Sequence, residues 1–218
     1  MNILLVDDHP MTVEGFINAL LKVNFNKKKA VFTKAHNCKD GYLAIIKSSK
    51  SSKPFNLAII DQGLPSYPEQ SIASGSDLAL LIRKSMPDCK IIMITAHTEV
   101  IIIYDIVKNV RPDGLINKND ISPGNLQLIV AEVMQGNQYH SPIIKSCIDE
   151  IRKKELMFDD FNRQILSYLS KGFKVKELEG VVCLSTSTIQ KRVIQMKNAF
   201  DVTDDTGLVK EAIKQGFI

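Results

Sequence analysis

Five side chains that could bind a metal ion or a phosphoryl group each follow a short apolar run in the first half of the chain. They are Asp7, Asp8, Asp61, Thr95 and Lys118. If each run is a strand of one parallel sheet, these side chains lie together at the edge formed by the carboxyl ends of the strands. Parallel sheets bind their ligands at that edge.

The chemistry open to this set is metal-assisted phosphoryl transfer. Three carboxylates at one edge repel each other unless a cation lies among them, and oxygen ligands of this kind suit Mg²⁺. The Thr95 hydroxyl and the Lys118 ammonium could each hold a phosphoryl oxygen, which leaves Asp61 as the carboxylate nucleophile. Any single aspartate at a strand end is more often a helix cap or a turn residue. The joint occurrence at the ends of four strands favours the phosphoryl-transfer interpretation.

Apolar runs and helical patterns alternate along the first half of the chain. The apolar runs are residues 3–6, 31–32, 58–60, 91–94 and 114–116, and the helical patterns are 13–23, 41–47, 78–86, 100–108 and 126–134. Five strands that alternate with five helices predict a doubly wound α/β fold, with a five-stranded parallel sheet covered by helices on both faces.

The pattern changes after Gly136. A stretch with Pro142 and a charge cluster at 152–155 reads as a partly helical linker, and every later segment reads as helix. We therefore predict one domain at residues 1–136, a linker at 137–157 and a small all-helical domain at 158–218.

Composition places the chain among ordinary globular proteins. It has 218 residues, 44% hydrophobic and 24% charged, which excludes whole-chain disorder and suffices for two domains. Its four cysteines show no metal-binding spacing and predict reduced thiols in a cytoplasmic protein. No signal-peptide pattern is present, and no apolar run approaches the roughly 20 residues that cross a bilayer, so we expect no membrane partner.

Residues 174–200 predict a helix-turn-helix with a first helix at 175–182, a connection at 183–185 and a second helix from Thr186. Basic residues crowd this segment: Lys171, Lys174, Lys176, Lys191, Arg192 and Lys197. A positive excess beside a helix-turn-helix is the electrostatic footprint of DNA binding. On these residues alone, an ordinary helical hairpin with a solvated basic face is equally compatible.

The motifs of the first half resemble the receiver domain of two-component response regulators, which has a flavodoxin-like fold. They are LVDDHP at 5–10, DQGLP at 61–65, Thr95-Ala96 and Lys118. The resemblance implies that Asp61 accepts a phosphoryl group from a sensor histidine kinase or a phosphotransfer protein. It also implies that Asp8, Asp61 and the Gly63 carbonyl bind Mg²⁺ directly and Asp7 through water. Thr95 and Lys118 would then hold the phosphoryl oxygens.

The resemblance implies no separate enzymatic activity. A receiver promotes only its own phosphorylation and dephosphorylation, so we do not expect an enzyme that acts on another substrate. A phosphohydrolase of the haloacid-dehalogenase type would carry a second aspartate at position 63, where this chain has glycine.

Two departures from the receiver pattern concern signal transmission. Leu115 occupies the position three before Lys118 where the family often has an aromatic switch residue. Residues 66–74 form an insertion directly after Pro65. We interpret it as a tolerated surface loop rather than a lid or a partner contact.

The motifs of the second half resemble the LuxR-type output domain of NarL/FixJ-like regulators over about residues 159–218. They are KEL at 176–178, Leu184-Ser185 and Thr188-Ile189. Gln190 stands where the family commonly has lysine, and it could read an adenine edge. The predicted DNA contacts are Lys174, Lys176, Thr186, Thr188, Gln190, Lys191, Arg192, Gln195 and Lys197.

Together the two halves predict a DNA-binding response regulator. Phosphorylation of Asp61 would control homodimerisation and transcription, with double-stranded DNA and a sensor kinase as partners. Residues 101–104, four bulky side chains in a row, are candidates for the surface that responds. The alternative is a phospho-receiver signalling module whose helical tail binds a protein rather than DNA.

Overall fold

The structure is a computed structural model that describes residues 1–23, 25, 29–214 and 217–218, apart from the side chains of Val100, Ile101, Pro123, Lys154 and Phe158. The chain divides into two compact units, Met1–Cys147 and Ile148–Ile218. Each unit has its own hydrophobic core.

The first unit is built on a parallel sheet. Its strands are β1 Asn2–Val6, β2 Val31–Ala35, β3 Leu57–Asp61, β4 Lys90–Thr95, β5 Gly114–Asn117 and β6 Tyr139–His140. Their order is β2-β1-β3-β4-β5-β6, and every neighbouring pair is parallel. β3 and β5 are buried along their whole length, as expected for apolar strands covered on both faces.

Helices cover both faces of this sheet. They are α1 Pro10–Leu20, α2 Cys38–Ser49, α3 Gly75–Ser85, α4 Val100–Asp105, which continues as a π-helical turn at Ile106–Val110, and α5 Pro123–Met134. α1 packs against α5, and α2 packs against α3. Because alternate strand residues point to opposite faces, Ile3 and Leu5 enter the core with α1 and α5 while Leu4 points to the other side. The predicted parallel α/β fold is confirmed.

The predicted sheet was one strand short. Within the described residues it has six strands, because Tyr139 and His140 pair with Gly114 and Leu115. A strand of two residues is too short to give an apolar run in the sequence.

The predicted linker is mostly helical. α6 runs over Pro142–Phe158, and the division between the two units falls inside it, after Cys147. The domain limits at 136 and 158 stay a prediction.

The second unit is all-helical. It contains α7 Asp160–Ser170, a 3₁₀ helix at Val175–Gly180, α8 Thr186–Phe200 and α9 Asp205–Lys214. The predicted helix at 175–182 is a shorter 3₁₀ helix, because its backbone bonds reach back three residues and Gly180 favours a stop. The sequence pattern predicts the last helix at residues 206–215, and residue 215 lies outside the described residues. Among the described residues, no helix is both long and apolar enough to cross a membrane.

Candidate functional site

The five predicted residues lie at the ends of parallel strands. Asp7 directly follows β1, Asp61 and Thr95 are the last residues of β3 and β4, and Lys118 directly follows β5. Asp61 pairs with Ile94, so Thr95 extends one residue beyond it on the neighbouring strand. The order of the strands therefore places these side chains at one edge of the sheet.

Asp61 is a buried carboxyl beside a lysine. Its side chain is 4% exposed, and Lys118 Nζ lies 3.1 Å from Asp61 Oδ1 and 3.4 Å from Asp7 Oδ2. Burial raises the pKa of Asp61, and the charges of Asp7 and Asp8 raise it further, which outweighs the lowering by Lys118. Burial alone would lower the pKa of Lys118. The hydrogen bonds and negative charges of Asp61 and Asp7 outweigh it, so the pKa of Lys118 is raised above its ordinary value. The edge therefore carries more negative charge than one lysine neutralises.

The first acidic pair has unused acceptor capacity. Asp7 is 1% exposed, and its Oδ1 accepts the His9 backbone N–H at 2.9 Å. Asp7 Oδ2 and Asp8 Oδ1 are buried oxygens that accept no hydrogen bond of good geometry from the described residues. The nitrogens near them are Lys118 Nζ at 3.4 Å from Asp7 Oδ2 and His9 Nδ1 at 2.7 Å from Asp8 Oδ1. Buried carboxylate oxygens with incomplete hydrogen bonding fit a hard cation such as Mg²⁺.

Sequence reasoning missed His9. Its Nδ1 lies 2.7 Å from Asp8 Oδ1 and 3.4 Å from Asp7 Oδ1, so the ring stands at the same edge. Among the described residues, Asp7, Asp8 and His9 form a group whose ligand atoms could hold one metal ion. The only signal in the sequence was that His9 directly follows the acidic pair.

Two glycines shape the backbone around Asp61. A Cβ at Gly63 would lie 3.7 Å from Asp61 Oδ2, which places this residue beside the carboxylate. A Cβ at Gly75 would lie 1.9 Å from the Asp61 carbonyl oxygen, far inside any tolerated contact. Gly75 is therefore required where α3 begins against the end of β3, and sequence reasoning did not identify it.

The insertion at 66–74 is a closed, packed loop. The backbones of Tyr67 and Ile72 are bonded to each other at 2.7 and 3.2 Å around a 3₁₀ helix at Pro68–Gln70. Ile72 is buried, and the Tyr67 ring packs 5.8 Å from the ring of Tyr42 on α2. The insertion is therefore folded against α2, and its interpretation as a tolerated surface loop stays a prediction.

The predicted switch residues are both buried. The Thr95 hydroxyl oxygen accepts the His97 backbone N–H at 3.0 Å, which ties it to the loop that precedes α4. Leu115 lies in the middle of β5 and is fully buried. In the predicted surface at 101–104, Ile103 is buried and so does not belong to it, because it faces the core.

The loops that carry Thr95 and Lys118 are hydrogen-bonded to the region where α6 starts. Asn117, fully buried, donates its backbone N–H to Ser141 Oγ at 3.0 Å, and its side chain donates to the His97 carbonyl at 3.2 Å. One turn on, the Asp120 carboxylate accepts the Ile143 N–H at 2.9 Å. The segment that carries Lys118 is therefore bonded both to the loop after Thr95 and to the first turn of α6.

In the second unit, α8 has one buried face and one exposed stripe. Ser185 caps it by accepting the Thr188 backbone N–H at 3.4 Å. The buried face consists of Ile189, Val193, Met196 and Phe200. The exposed stripe consists of Ser187, Gln190, Lys191, Ile194, Gln195 and Asn198. This stripe is the surface that α8 can offer to a partner.

The predicted DNA contacts fall into two groups. The exposed ones are Lys174, Lys176, Gln190, Lys191 and Gln195. The others are less exposed and bonded within the unit: Thr186 to Glu179, Thr188 to Ser185, Lys197 to Asp205 and Arg192 to Asp159. The second group has structural partners that the sequence pattern could not reveal.

Arg192 joins α8 to the start of α7. Its guanidinium donates to Asp159 at 2.8 Å and to Asn162 at 2.9 Å, and it lies 5.5 Å from the centroid of the Phe161 ring. Asp159 also caps α7 by accepting the Asn162 backbone N–H. These contacts give Arg192 a role in holding the unit together.

No protein-family model matches the chain. It is 25% identical over 223 residues to the response regulator UvrY of Escherichia coli, covering 99% of this chain and 95% of that protein. It is 24% identical over 229 residues to the oxygen regulatory protein NreC of Staphylococcus epidermidis, covering 99% of this chain and 98% of that one. A probable transcriptional regulatory protein NarL of Mycobacterium tuberculosis is 21% identical over 220 residues, covering 99% and 94%.

Solved structures match the fold of the whole chain. The RcsB response regulator of Salmonella typhimurium gives a TM-score of 0.58 at 19% identity, with 98% of each chain covered. A structure of the response regulator RcsB in complex with DNA gives 0.56 at 20% identity, with 96% of each covered. At this identity the likeness shows the fold, a parallel α/β unit followed by a helical unit.

Proposed function

Because the chain resembles NarL-type response regulators from end to end, we propose that it is a DNA-binding response regulator that is phosphorylated on Asp61. The observation that carries the proposal is the buried Asp61 carboxylate with Lys118 Nζ at 3.1 Å and two further acidic residues at the same sheet edge. The helix-turn-helix in the same chain supplies the output. The alternative of a protein-binding tail is not favoured, since the relatives are response and transcription regulators.

The proposed chemistry is transfer of one phosphoryl group to Asp61. A carboxylate oxygen of Asp61 forms a bond to phosphorus as the bond from phosphorus to the donor's imidazole nitrogen breaks. Lys118, already beside Asp61, is placed to bind a phosphoryl oxygen, and the Thr95 hydroxyl, whose oxygen accepts the His97 N–H, can donate its own hydrogen to another. The protein thus promotes only its own modification.

The cation expected here is Mg²⁺, which would neutralise the carboxylates and the phosphoryl oxygens when bound. Asp8, Asp61 and the Gly63 carbonyl would hold it, with Asp7 acting through a water molecule. The buried oxygens of Asp7 and Asp8 that lack a well-formed hydrogen bond support this assignment.

The proposed route of the signal is α6. Leu115 offers no hydroxyl for an aromatic-type switch, whereas Asn117 and Asp120 are bonded to Ser141 and Ile143. A change at Thr95 or Lys118 would therefore shift the start of α6, which continues into the helical unit. Two copies, paired by this change, would place two helix-turn-helix units on paired half-sites.

Phosphorylation is tested by incubating the full chain with Mg²⁺ and labelled acetyl phosphate. We expect stoichiometric labelling of the wild type, and none of Asp61→Asn. The control is Asp88→Asn, an exposed carboxylate just before β4 at the opposite edge of the sheet, which should label normally. Labelling of Asp61→Asn at the wild-type rate would overturn the assignment.

DNA binding is tested by mobility shift on random 30-base-pair duplexes over a range of salt concentrations. We expect affinity to fall steeply with salt, since lysines that neutralise phosphates release counterions. Lys176→Ala should reduce the slope by about one. The exposed Lys84→Ala in the first unit should leave it unchanged. Salt-independent binding, or none, would revive the protein-binding alternative.

A further inference from the structure

α8 carries an unusual residue on its exposed stripe. Within this helix, all of whose residues the structure describes, Ile194 is the one apolar member of the stripe, and it is 53% exposed. Its neighbour Val193 is buried, so the helix has already turned its apolar face inward. Ile194 lies only about 100° further round the helix, where it is about half exposed and is not part of the hydrophobic cluster of its unit.

The surroundings of Ile194 indicate a polyanion. It lines one groove together with Lys174, Lys176 and Lys197, and Gln190 lines the same groove one turn before it. The acidic residue of this lining, Asp205, is paired with Lys197 at 3.2 Å. Lys174 and Lys176 are exposed. An apolar contact flanked by lysines matches the major groove, where apolar methyl groups lie between two phosphate backbones.

The major groove offers few apolar partners. Thymine presents its C5-methyl group there, and the remaining base-edge groups are hydrogen-bond donors and acceptors. Gln190 and Ile194 are four residues apart on one helix face, about 5–6 Å. Successive bases on a strand are about 3.4 Å apart along the axis, so the two side chains reach base pairs one or two steps apart.

We propose that Ile194 reads the sequence of the half-site by packing on a thymine methyl group, within two base pairs of an adenine bound by Gln190. This inference rests on the proposed DNA-binding function and adds the identity of the bases. Lys174 and Lys176 hold phosphates and carry affinity without sequence preference.

The test removes the methyl group alone. The full wild-type chain first selects duplexes from a random pool. Each thymine of the selected duplex is then replaced in turn by deoxyuridine, and affinities are measured by fluorescence anisotropy. Losing one buried methyl group costs about 0.8 kcal/mol, so one uracil per half-site should weaken wild-type binding about fourfold. Ile194→Ala should bind thymine and uracil duplexes equally.

Ile213→Ala provides the matched control, since Ile213 is 55% exposed on α9 of the same unit. This variant should keep the wild-type preference for thymine, whatever its absolute affinity. Equal wild-type binding to every uracil duplex, a selected half-site without thymine, or a preference that survives in Ile194→Ala would each overturn the inference while DNA binding stands. A pool that yields no bound duplex would overturn the proposed function as well.

Discussion

The reactivity proposed for Asp61 depends on a carboxyl whose ionised form is disfavoured by its surroundings in the fold. It is buried, and Asp7 and Asp8 share its edge, so its pKa is raised even with Lys118 at 3.1 Å. A raised pKa in the folded state means that the fold prefers the protonated form. At neutral pH the ionised carboxylate therefore lowers the stability of the metal-free protein.

This sign gives a prediction for thermal unfolding in EDTA. Asp61→Asn, which imitates the neutral carboxyl, should melt above the wild type at pH 7. The difference should shrink as the pH falls through the raised pKa of Asp61, because the wild type then becomes protonated as well. Calorimetry over a range of pH values measures it.

Asp88→Asn is the control for this comparison, because Asp88 is exposed at the other edge of the sheet. Its effect should stay within about 0.5 kcal/mol, as for most surface substitutions. A melting temperature of Asp61→Asn at or below the wild-type value would contradict the account of a destabilised carboxylate.

At the scale of elements, the junction between β3 and α3 is packed so closely that no side chain fits at Gly75. The backbone of Gly75 approaches the Asp61 carbonyl so closely that a Cβ would lie 1.9 Å from that oxygen. The Gly75 N–H also donates to the Gln62 carbonyl at 3.2 Å. The start of α3 thus fixes the backbone that presents Asp61.

Gly75→Ala should therefore destabilise the first unit by about 1–3 kcal/mol, the usual cost of overpacking. The matched control is Gly124→Ala, also in the first turn of a helix, α5, where a Cβ would meet nothing within 4 Å. That control should be neutral or stabilising by up to about 1 kcal/mol. Chemical denaturation measures the free energy of unfolding of both variants. Equal changes in this free energy would show that the close approach of Gly75 to Asp61 is unimportant.

The elements that the sequence predicted are those with a strong apolar pattern. β1, β3 and β4 are nearly continuous buried runs, so the acidic residues at the ends of β1 and β3 and Thr95 at the end of β4 could be placed from strand order alone. β6 was not predicted, because two residues are too few to show a hydrophobic pattern. The helix at Val175–Gly180 was predicted, but its 3₁₀ type was not, because hydrogen bonds rather than composition distinguish a 3₁₀ helix from an α-helix.

Contacts between distant residues could not be predicted. The bond from the Asn117 N–H to Ser141 Oγ joins positions 24 apart, and Arg192 meets Asp159 across 33 positions. Spacing rules read neighbours on one helix or strand, so both residues appeared only as a polar residue and a basic residue. The structure changes the interpretation of Arg192 most, from a free cation to a bonded one.

At the scale of the whole molecule, we propose that α6 links phosphorylation of Asp61 in the first unit to the helix-turn-helix in the second. Ser141 and Ile143, at the start of that helix, are bonded to the segment that carries Lys118. Phosphorylation and DNA binding should therefore be coupled, and coupling free energies of this kind correspond to about 5- to 150-fold changes in affinity.

The most direct test measures the affinity of the full chain for a selected duplex, with and without acetyl phosphate and Mg²⁺, for the wild type and Asp61→Asn. We predict that treatment tightens wild-type binding by about 5-fold or more and leaves Asp61→Asn unchanged. A labelled wild type that binds DNA as it did before labelling, or an Asp61→Asn variant that responds like the wild type, would contradict the central claim.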